Sequence, residues 1–317
     1  MKRGLKNLII ILSIVLFLAA GLFWYNQYEF RQAEVNFPPN GNFITVEGTK
    51  LHYIRKGSGK PLVFLHGGVL TGNDFEKVME IAAKQGYQAI SFDRPGYGYS
   101  EKPKNEEVTP IVQARLIHGA LKKLGIGKPI LVGHSWSGIL VLSYALSYPD
   151  EVSGIVTLGA VMYKEGYPAE NGDPISAVVT TPIIGDALLN TLLKSPLGTG
   201  LAKNILKETF APEPVPSDYR KAALALWLRP THFKANREDV LAFSPTAEKI
   251  SNRYKNIKHP MVIVVGNNDP FGTKEQACRL QKYIPHAKLM VLPHVAHMIP
   301  QNHPKAVMDA IKTLIEK

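Results

Sequence analysis

The sequence predicts an α/β fold: a mostly parallel central sheet flanked by helices, with an inserted helical segment. Three observations carry this. Short continuous apolar runs recur between longer helical stretches, the alternation breaks off near Ala160, and it resumes at Met261. Strands that are apolar throughout are buried on both faces, as in parallel sheets connected by helical crossovers.

The chain has 317 residues, with 20% charged and 45% hydrophobic side chains, which fits a folded globular protein rather than a disordered one. That length suffices for one large domain or two modest ones, without disulfides or metals as staples. Cys278 is the single cysteine, so neither a disulfide scaffold nor a four-cysteine zinc site is available. The ten histidines include no H-E-x-x-H or comparable ligand spacing, so no metal and no cofactor is expected. The formal charge is +11, but beyond Lys2, Arg3 and Lys6 it is scattered as singles and pairs. That pattern describes a solvated surface, and no nucleic-acid partner is expected.

Residues 1–25 are expected to form a transmembrane anchor or signal segment. Leu8–Tyr25 carries no charge, and 18 helical residues extend about 27 Å, close to a bilayer core. Lys2, Arg3 and Lys6 precede it, and Trp24 and Tyr25 stand where an interfacial belt falls. The positive-inside bias then leaves the following domain outside the cytoplasm. Cleavage near Leu18-Ala19-Ala20-Gly21 is the alternative, giving a secreted protein; a buried core helix is a third reading. The apolar run continues past that site, which favours the anchor.

Residues 26–42, ending in Phe37-Pro38-Pro39-Asn40-Gly41-Asn42, are expected to be a linker. A core over 43–160 and 246–317 follows, split by a cap over 161–245. In order, the core holds a hairpin of Phe43–Val46 and Leu51–Arg55, then strands at Leu62–Leu65, Ala89–Phe92, Ile130–Val132 and Gly154–Leu158. Helices are expected at Phe75–Lys84, Val112–Leu124 and Gly138–Tyr148. After a proline- and glycine-rich segment with a helix at Asp218–Leu228, the core continues as Met261–Val265, Lys274–Tyr283, Leu289–Leu292 and His303–Glu316.

The strongest chemical signal is Gly133-His134-Ser135-Trp136-Ser137-Gly138, between an apolar strand and a helix. A strand–turn–helix of this kind lifts a nucleophile above the sheet, and the sharp turn needs small residues on either side. The usual pattern is G-x-S-x-G, so Ser137 departs from it while staying small. His66-Gly67-Gly68, after the strand Leu62–Leu65, can supply an oxyanion N–H from Gly68 beside that of Trp136. A plain glycine turn is the competing reading. Asp269 and His297 each follow a later strand, at the edge where open α/β sheets place ligands. A serine hydroxyl needs a base, which an imidazole provides near neutrality, and a carboxylate fixes that imidazole's tautomer. His294 and His303 compete for the base and Asp239 for the acid.

The ordered set His66-Gly67-Gly68, Asp93-Arg94-Pro95-Gly96-Tyr97-Gly98-Tyr99-Ser100, Gly133–Gly138, Asp269 and His297 resembles the α/β-hydrolase superfamily, over roughly Phe43 to Lys317. The D-R-P-G-x-G-x-S stretch is typical of its capped members, where it is a structural turn, so Asp93, Gly96 and Gly98 read as architecture. Dehalogenases and epoxide hydrolases of that group carry aspartate at the nucleophile. Ser135 points instead to acyl carbonyls: esters, thioesters, some amides and certain diketones. The resemblance implies an esterase-like serine hydrolase with an acyl-enzyme intermediate and a small-molecule acyl substrate, lipids included. A carbon–carbon bond hydrolase, a peptidase, a perhydrolase and a non-enzymatic ligand-binding member remain alternatives. Ile183, Ile184, Leu188, Leu224, Trp227 and Phe233 of the cap are candidate pocket residues, although most are expected to pack the cap against itself.

Overall fold

In a computed structural model, residues 2–315 are described. The strands are β1 (Asn42–Val46), β2 (Thr49–Lys56), β3 (Lys60–Leu65), β4 (Tyr87–Phe92), β5 (Ile130–His134), β6 (Gly154–Leu158), β7 (Met261–Gly266) and β8 (Lys288–Leu292). They form one eight-stranded sheet in the order β1-β2-β4-β3-β5-β6-β7-β8. β1 and β2 pair antiparallel, as do β2 and β4; every pair from β4 to β8 is parallel. Buried strand residues separate by parity, because side chains alternate across a pleated sheet. Leu62 and Phe64 face one apolar cluster, and Val63 and Leu65 the other.

The helices are α1 (Lys2–Asn36), α2 (Glu76–Lys84), α3 (Pro110–Lys123), α4 (Ser137–Ser147), α5 (Pro174–Thr180), α6 (Ile184–Leu192), α7 (Pro196–Phe210), α8 (Ser217–Leu226), α9 (Pro230–Ile250), α10 (Thr273–Tyr283), α11 (Ile299–Asn302) and α12 (Pro304–Ile315). Val78, Met79 and Ala82 of α2 and Val307, Met308 and Ile311 of α12 cover one face of the sheet. Residues of α3, α4 and α10 cover the other, among them Ile117, Leu140 and Leu280. The helix expected over His303–Glu316 is α12; Glu316 lies outside the described residues.

Two sequence-based boundaries are corrected. The linker expected over 26–42 is helical through Asn36, leaving only a short irregular stretch before β1. Tertiary contact holds those extra turns in place. The buried Asn26 donates through Nδ2 to the Thr191 carbonyl at 2.8 Å, and its Oδ1 accepts from the Lys194 N–H at 2.6 Å. Gln27 donates to Asn190 Oδ1 at 2.9 Å, Phe30 is buried in the cap's apolar cluster, and Arg229 pairs with Glu34 at 3.2 Å. The cap boundary at 245 also falls inside a helix, since α9 runs unbroken to Ile250. Its first half carries Asn236 and Asp239, while Phe243, Ala247 and Ile250 join the core. One helix therefore belongs to both layers.

Among the described residues, one helix is long and apolar enough to cross a membrane. It spans Arg3–Asn36, with a mean hydropathy of 2.6 over its most apolar window and none of that window buried.

Candidate active site

The parallel strands end together, and the loops that leave them meet above the sheet. β5 stops at His134, and Ser135 takes φ +54° before α4 begins. A left-handed conformation is costly for a residue with a Cβ, and here it is held by hydrogen bonds on both sides. The Ser135 N–H donates to the Leu158 carbonyl at 2.9 Å, and its carbonyl accepts from Gly138 at 3.0 Å and Val161 at 3.1 Å. A Cβ on Gly133 would lie 2.5 Å from the Ser137 carbonyl, so the tight turn excludes any larger residue there. Ser137 is tolerated because its hydroxyl donates to the His66 carbonyl at 2.5 Å, tying the turn to the loop after β3.

His297 and Asp269 reach Ser135 from the loops after β8 and β7. His297 Nε2 lies 2.9 Å from Ser135 Oγ, and His297 Nδ1 lies 2.7 Å from Asp269 Oδ2. With Nδ1–H donated to the carboxylate, Nε2 faces the hydroxyl as an acceptor. Burial pushes the Asp269 carboxyl up, but His297 and the Phe271 N–H, 3.0 Å from Oδ1, outweigh this and hold it below its ordinary value. His134 donates from Nε2 to the His297 carbonyl at 3.0 Å. Burial, then the neighbouring His297, lowers the His134 pKa to about 3, so it serves as a neutral brace. The competing histidines lie elsewhere: His294 is exposed in a turn, and His303 pairs with Glu213 at 2.7 Å.

The loop after β3 supplies the opposite wall. His66 accepts the Arg94 N–H at Nε2, at 2.9 Å, so its Nδ1 carries the proton toward the Gly67 carbonyl, 2.8 Å away. Arg94 donates to the His66 carbonyl at 3.0 Å and the Gly67 carbonyl at 2.9 Å. A trans peptide points its N–H opposite to its C=O. Fixing the Gly67 carbonyl on Arg94 therefore turns the Gly68 N–H away from the guanidinium. Gly68 and Trp136 both line a cavity of about 220 Å³ over Ser135, with His297, Trp227, Phe271 and Met298 among the other walls. Trp136 sits at the positive end of α4, where backbone N–H groups favour negative charge.

Arg94 has no role legible in the sequence, and Asp239 is a candidate for the acid there. Asp239 is instead the partner of Arg94: Oδ2 accepts from Arg94 at 2.5 Å and from the Tyr97 hydroxyl at 2.7 Å, and Oδ1 from Gln113 at 2.8 Å. Its carbonyl accepts the Trp136 indole N–H at 3.1 Å. Burial works against charge on Arg94, and the adjacent Asp239 carboxylate outweighs it, so the guanidinium stays charged. The pair ties cap helix α9 to the loop carrying Gly68. The only trace in the sequence was the D-R-P-G stretch, whose arginine gives no hint of a partner more than a hundred residues away. Asp93 behaves as architecture: Oδ1 accepts from Gly72 at 2.8 Å, and Oδ2 from Tyr99 at 2.9 Å.

Of the cap residues singled out in the sequence, only Trp227 lines the Ser135 cavity. Ile183 and Ile184 project outward, and Leu224 packs inside the cap. Among the described residues, no group of three or more His, Cys, Asp or Glu side chains converges to hold a metal ion.

Eight strands in this order, a serine at the turn after β5, and an acid and a histidine after β7 and β8 match a known architecture, and a family model described as "alpha/beta hydrolase fold" matches residues 60–182. The chain has the α/β-hydrolase fold. The chain is 28% identical over 267 residues to a 2-hydroxy-6-oxononadienedioate/2-hydroxy-6-oxononatrienedioate hydrolase of Burkholderia vietnamiensis, covering 82% of this chain and 89% of that one. It is also 28% identical over 162 residues to the mouse (Mus musculus) bifunctional epoxide hydrolase 2, covering 49% of this chain and 29% of that one. Among solved structures, an α/β-hydrolase fold protein from Burkholderia ambifaria superposes with a TM-score of 0.73 at 23% identity, over 86% of this chain and 96% of that one.

Proposed function

We propose that this α/β-hydrolase cleaves a carboxylic ester or related acyl substrate through an acyl-enzyme on Ser135. The supporting observation is the continuous chain from Ser135 Oγ to His297 to Asp269, at 2.9 and 2.7 Å, on the wall of a largely apolar cavity. In this reading His297 takes the Ser135 proton as Oγ attacks the acyl carbon, and Asp269 stabilises the imidazolium. The Gly68 and Trp136 N–H groups hold the oxyanion. His297 then protonates the leaving alcohol. A water, deprotonated by His297, attacks the acyl-enzyme, and the acid departs as Ser135 regains its proton. A serine rather than an aspartate at the nucleophile favours acyl transfer over epoxide opening.

A fluorophosphonate probe tests the reading: labelling of the folded chain that disappears in Ser135→Ala supports it, and its absence in the parent protein rejects it. Carbon–carbon hydrolysis is the second reading, favoured by the name of the Burkholderia vietnamiensis relative and by Arg237 on the cavity wall, which could pair with a substrate carboxylate. Parallel rates on p-nitrophenyl esters and on a 2-hydroxy-6-oxo-dienoic acid separate the two.

The proposal includes α1 as an uncleaved membrane anchor, with the hydrolase outside the cytoplasm. Its support is the exposed apolar window together with the docking of residues beyond that window onto the cap. Intact mass of the mature chain checks this; a mass lacking about the first 20 residues sinks the anchor.

A further inference from the structure

The cap presents an apolar surface that none of the described residues covers. Ile183 is 83% exposed, Leu197 66% and Ile175 63%, with Ile184, Leu201 and Val178 also exposed beside them. Between Pro174 and Leu193 the only charged residue is Asp186, which pairs with Lys234 at 2.6 Å. Helices α5 and α6 form a bent apolar pair, with a 100° turn between them. At that turn Ile183 has φ +66°. With ψ −57° and the Ile184 N–H donating to the Pro182 carbonyl at 2.7 Å, Ile183 is the centre of a strained γ-turn, and a β-branched side chain projecting outward there is doubly unfavourable at a water-facing turn. An exposed apolar patch of this kind marks a surface with a partner.

The position of α1 identifies that partner. Its apolar run ends at Tyr25, and the next two residues, Asn26 and Gln27, hydrogen-bond Thr191, Lys194 and Asn190 at the end of α6. Helix α6 has nine residues, about 13 Å of axis, so its apolar start lies within that reach of the place where α1 leaves the apolar layer. Ile175, Val178, Leu197 and Leu201 of the patch also line an open pocket of about 590 Å³ bordered by α5, α6 and α7, whose walls are almost wholly aliphatic and aromatic. Ile205, Trp227 and Arg237 line both this pocket and the cavity over Ser135, so the two adjoin.

We infer that the α5–α6 turn and the exposed face of α7 rest in the bilayer interface beside α1, and that the pocket they border receives the acyl chain of a membrane lipid. The inference rests on the proposed serine hydrolase and its anchor, and it narrows the substrate class to long-chain esters resident in the bilayer. The acyl chain lies among the leucines of α6 and α7, and the ester carbonyl reaches Ser135 past Trp227.

The test uses the full chain in phosphatidylcholine vesicles, with monooleoylglycerol in the bilayer and p-nitrophenyl acetate in the water. Ile183→Asp and Leu197→Glu place charge on the patch at exposed sites. Each should lower the ratio of long-chain to acetate turnover at least tenfold. An unchanged ratio overturns the inference. A fluorescent NBD group on Ile183→Cys, in a Cys278→Ser chain, gives a readout free of catalysis: quenching by doxyl-labelled lipids is expected, and its absence overturns the membrane contact. No Ser135-dependent turnover of either ester counts against the hydrolase reading instead, and the quenching result still decides where the cap sits.

Discussion

Replacing Asp239 by leucine should damage stability and catalysis together, and a second substitution should separate them. Asp239→Leu removes the acceptor for Arg94 at 2.5 Å, Tyr97 at 2.7 Å and Gln113 at 2.8 Å. It leaves the fully buried Arg94 guanidinium without its counter-charge. Breaking a buried ion pair from one side costs about 3–5 kcal/mol, whereas replacing both members by apolar residues is often close to neutral. Arg94→Met/Asp239→Leu should therefore recover about 2 kcal/mol or more relative to the sum of the single variants. Catalysis should not recover. Arg94 also fixes the carbonyls of His66 and Gly67, which the double variant leaves without their donor. If the Gly68 N–H then strays from the oxyanion, kcat should stay on the order of 100-fold down, the scale of losing one such donor. Urea unfolding followed by tryptophan fluorescence gives the stabilities, and p-nitrophenyl ester hydrolysis the rates. A single-variant cost below about 1 kcal/mol would refute the role of the pair in stability. Rates that return along with stability would refute the role of Arg94 in positioning the loop.

Further predictions concern the carboxylates and the tight turn. Asp269 is held below its ordinary value, so its contribution to stability is present at neutral pH and is lost as pH falls through the carboxylate range. Asp269→Asn should be less stable than the parent at pH 7, and the gap should close toward pH 3 in paired unfolding curves. Asp74, on the wall of the Ser135 cavity, is pushed the other way, to about 8, by burial, which outweighs the opposing hydrogen bond of Tyr219 and is helped to a lesser degree by Asp93. A carboxyl that stays protonated in the fold but ionises in the unfolded chain costs stability as pH rises from about 4 to about 8. Asp74→Asn should thus be neutral at pH 4 and stabilising at pH 8, by a few kcal/mol; a constant difference across that range refutes the shift. Gly67→Ala places a Cβ 2.9 Å from the Ser135 Cβ, a clash that only a shift of the turn relieves, so it should depress kcat and lower the midpoint of unfolding. Ser137→Ala removes the bond to the His66 carbonyl and should cost about 1 kcal/mol in urea unfolding.

The sequence by itself determined the order of the strands and helices along the chain. It also determined the place of Ser135 between a strand and a helix, and the residues the structure brings to it from the loops after β7 and β8. These are local properties: apolar runs, helical periodicity and the small residues that a sharp turn demands. Tertiary structure decided what depends on partners far apart in the chain. It extended α1 through Asn36, where Pro38 and Pro39 suggested a linker, because Asn26, Phe30 and Glu34 find partners in the cap. It gave one helix to both cap and core, since α9 changes neighbours midway without changing its backbone. It joined Asp239 to Arg94 across 145 positions, and it turned Ile183 and Ile184 outward, where they neither line the Ser135 cavity nor pack the cap against itself. Hydrophobic periodicity reports that a side chain is apolar, not which surface it meets, and an ionisable residue carries no local mark of a distant counter-charge. Those two facts are fixed only when the chain closes on itself.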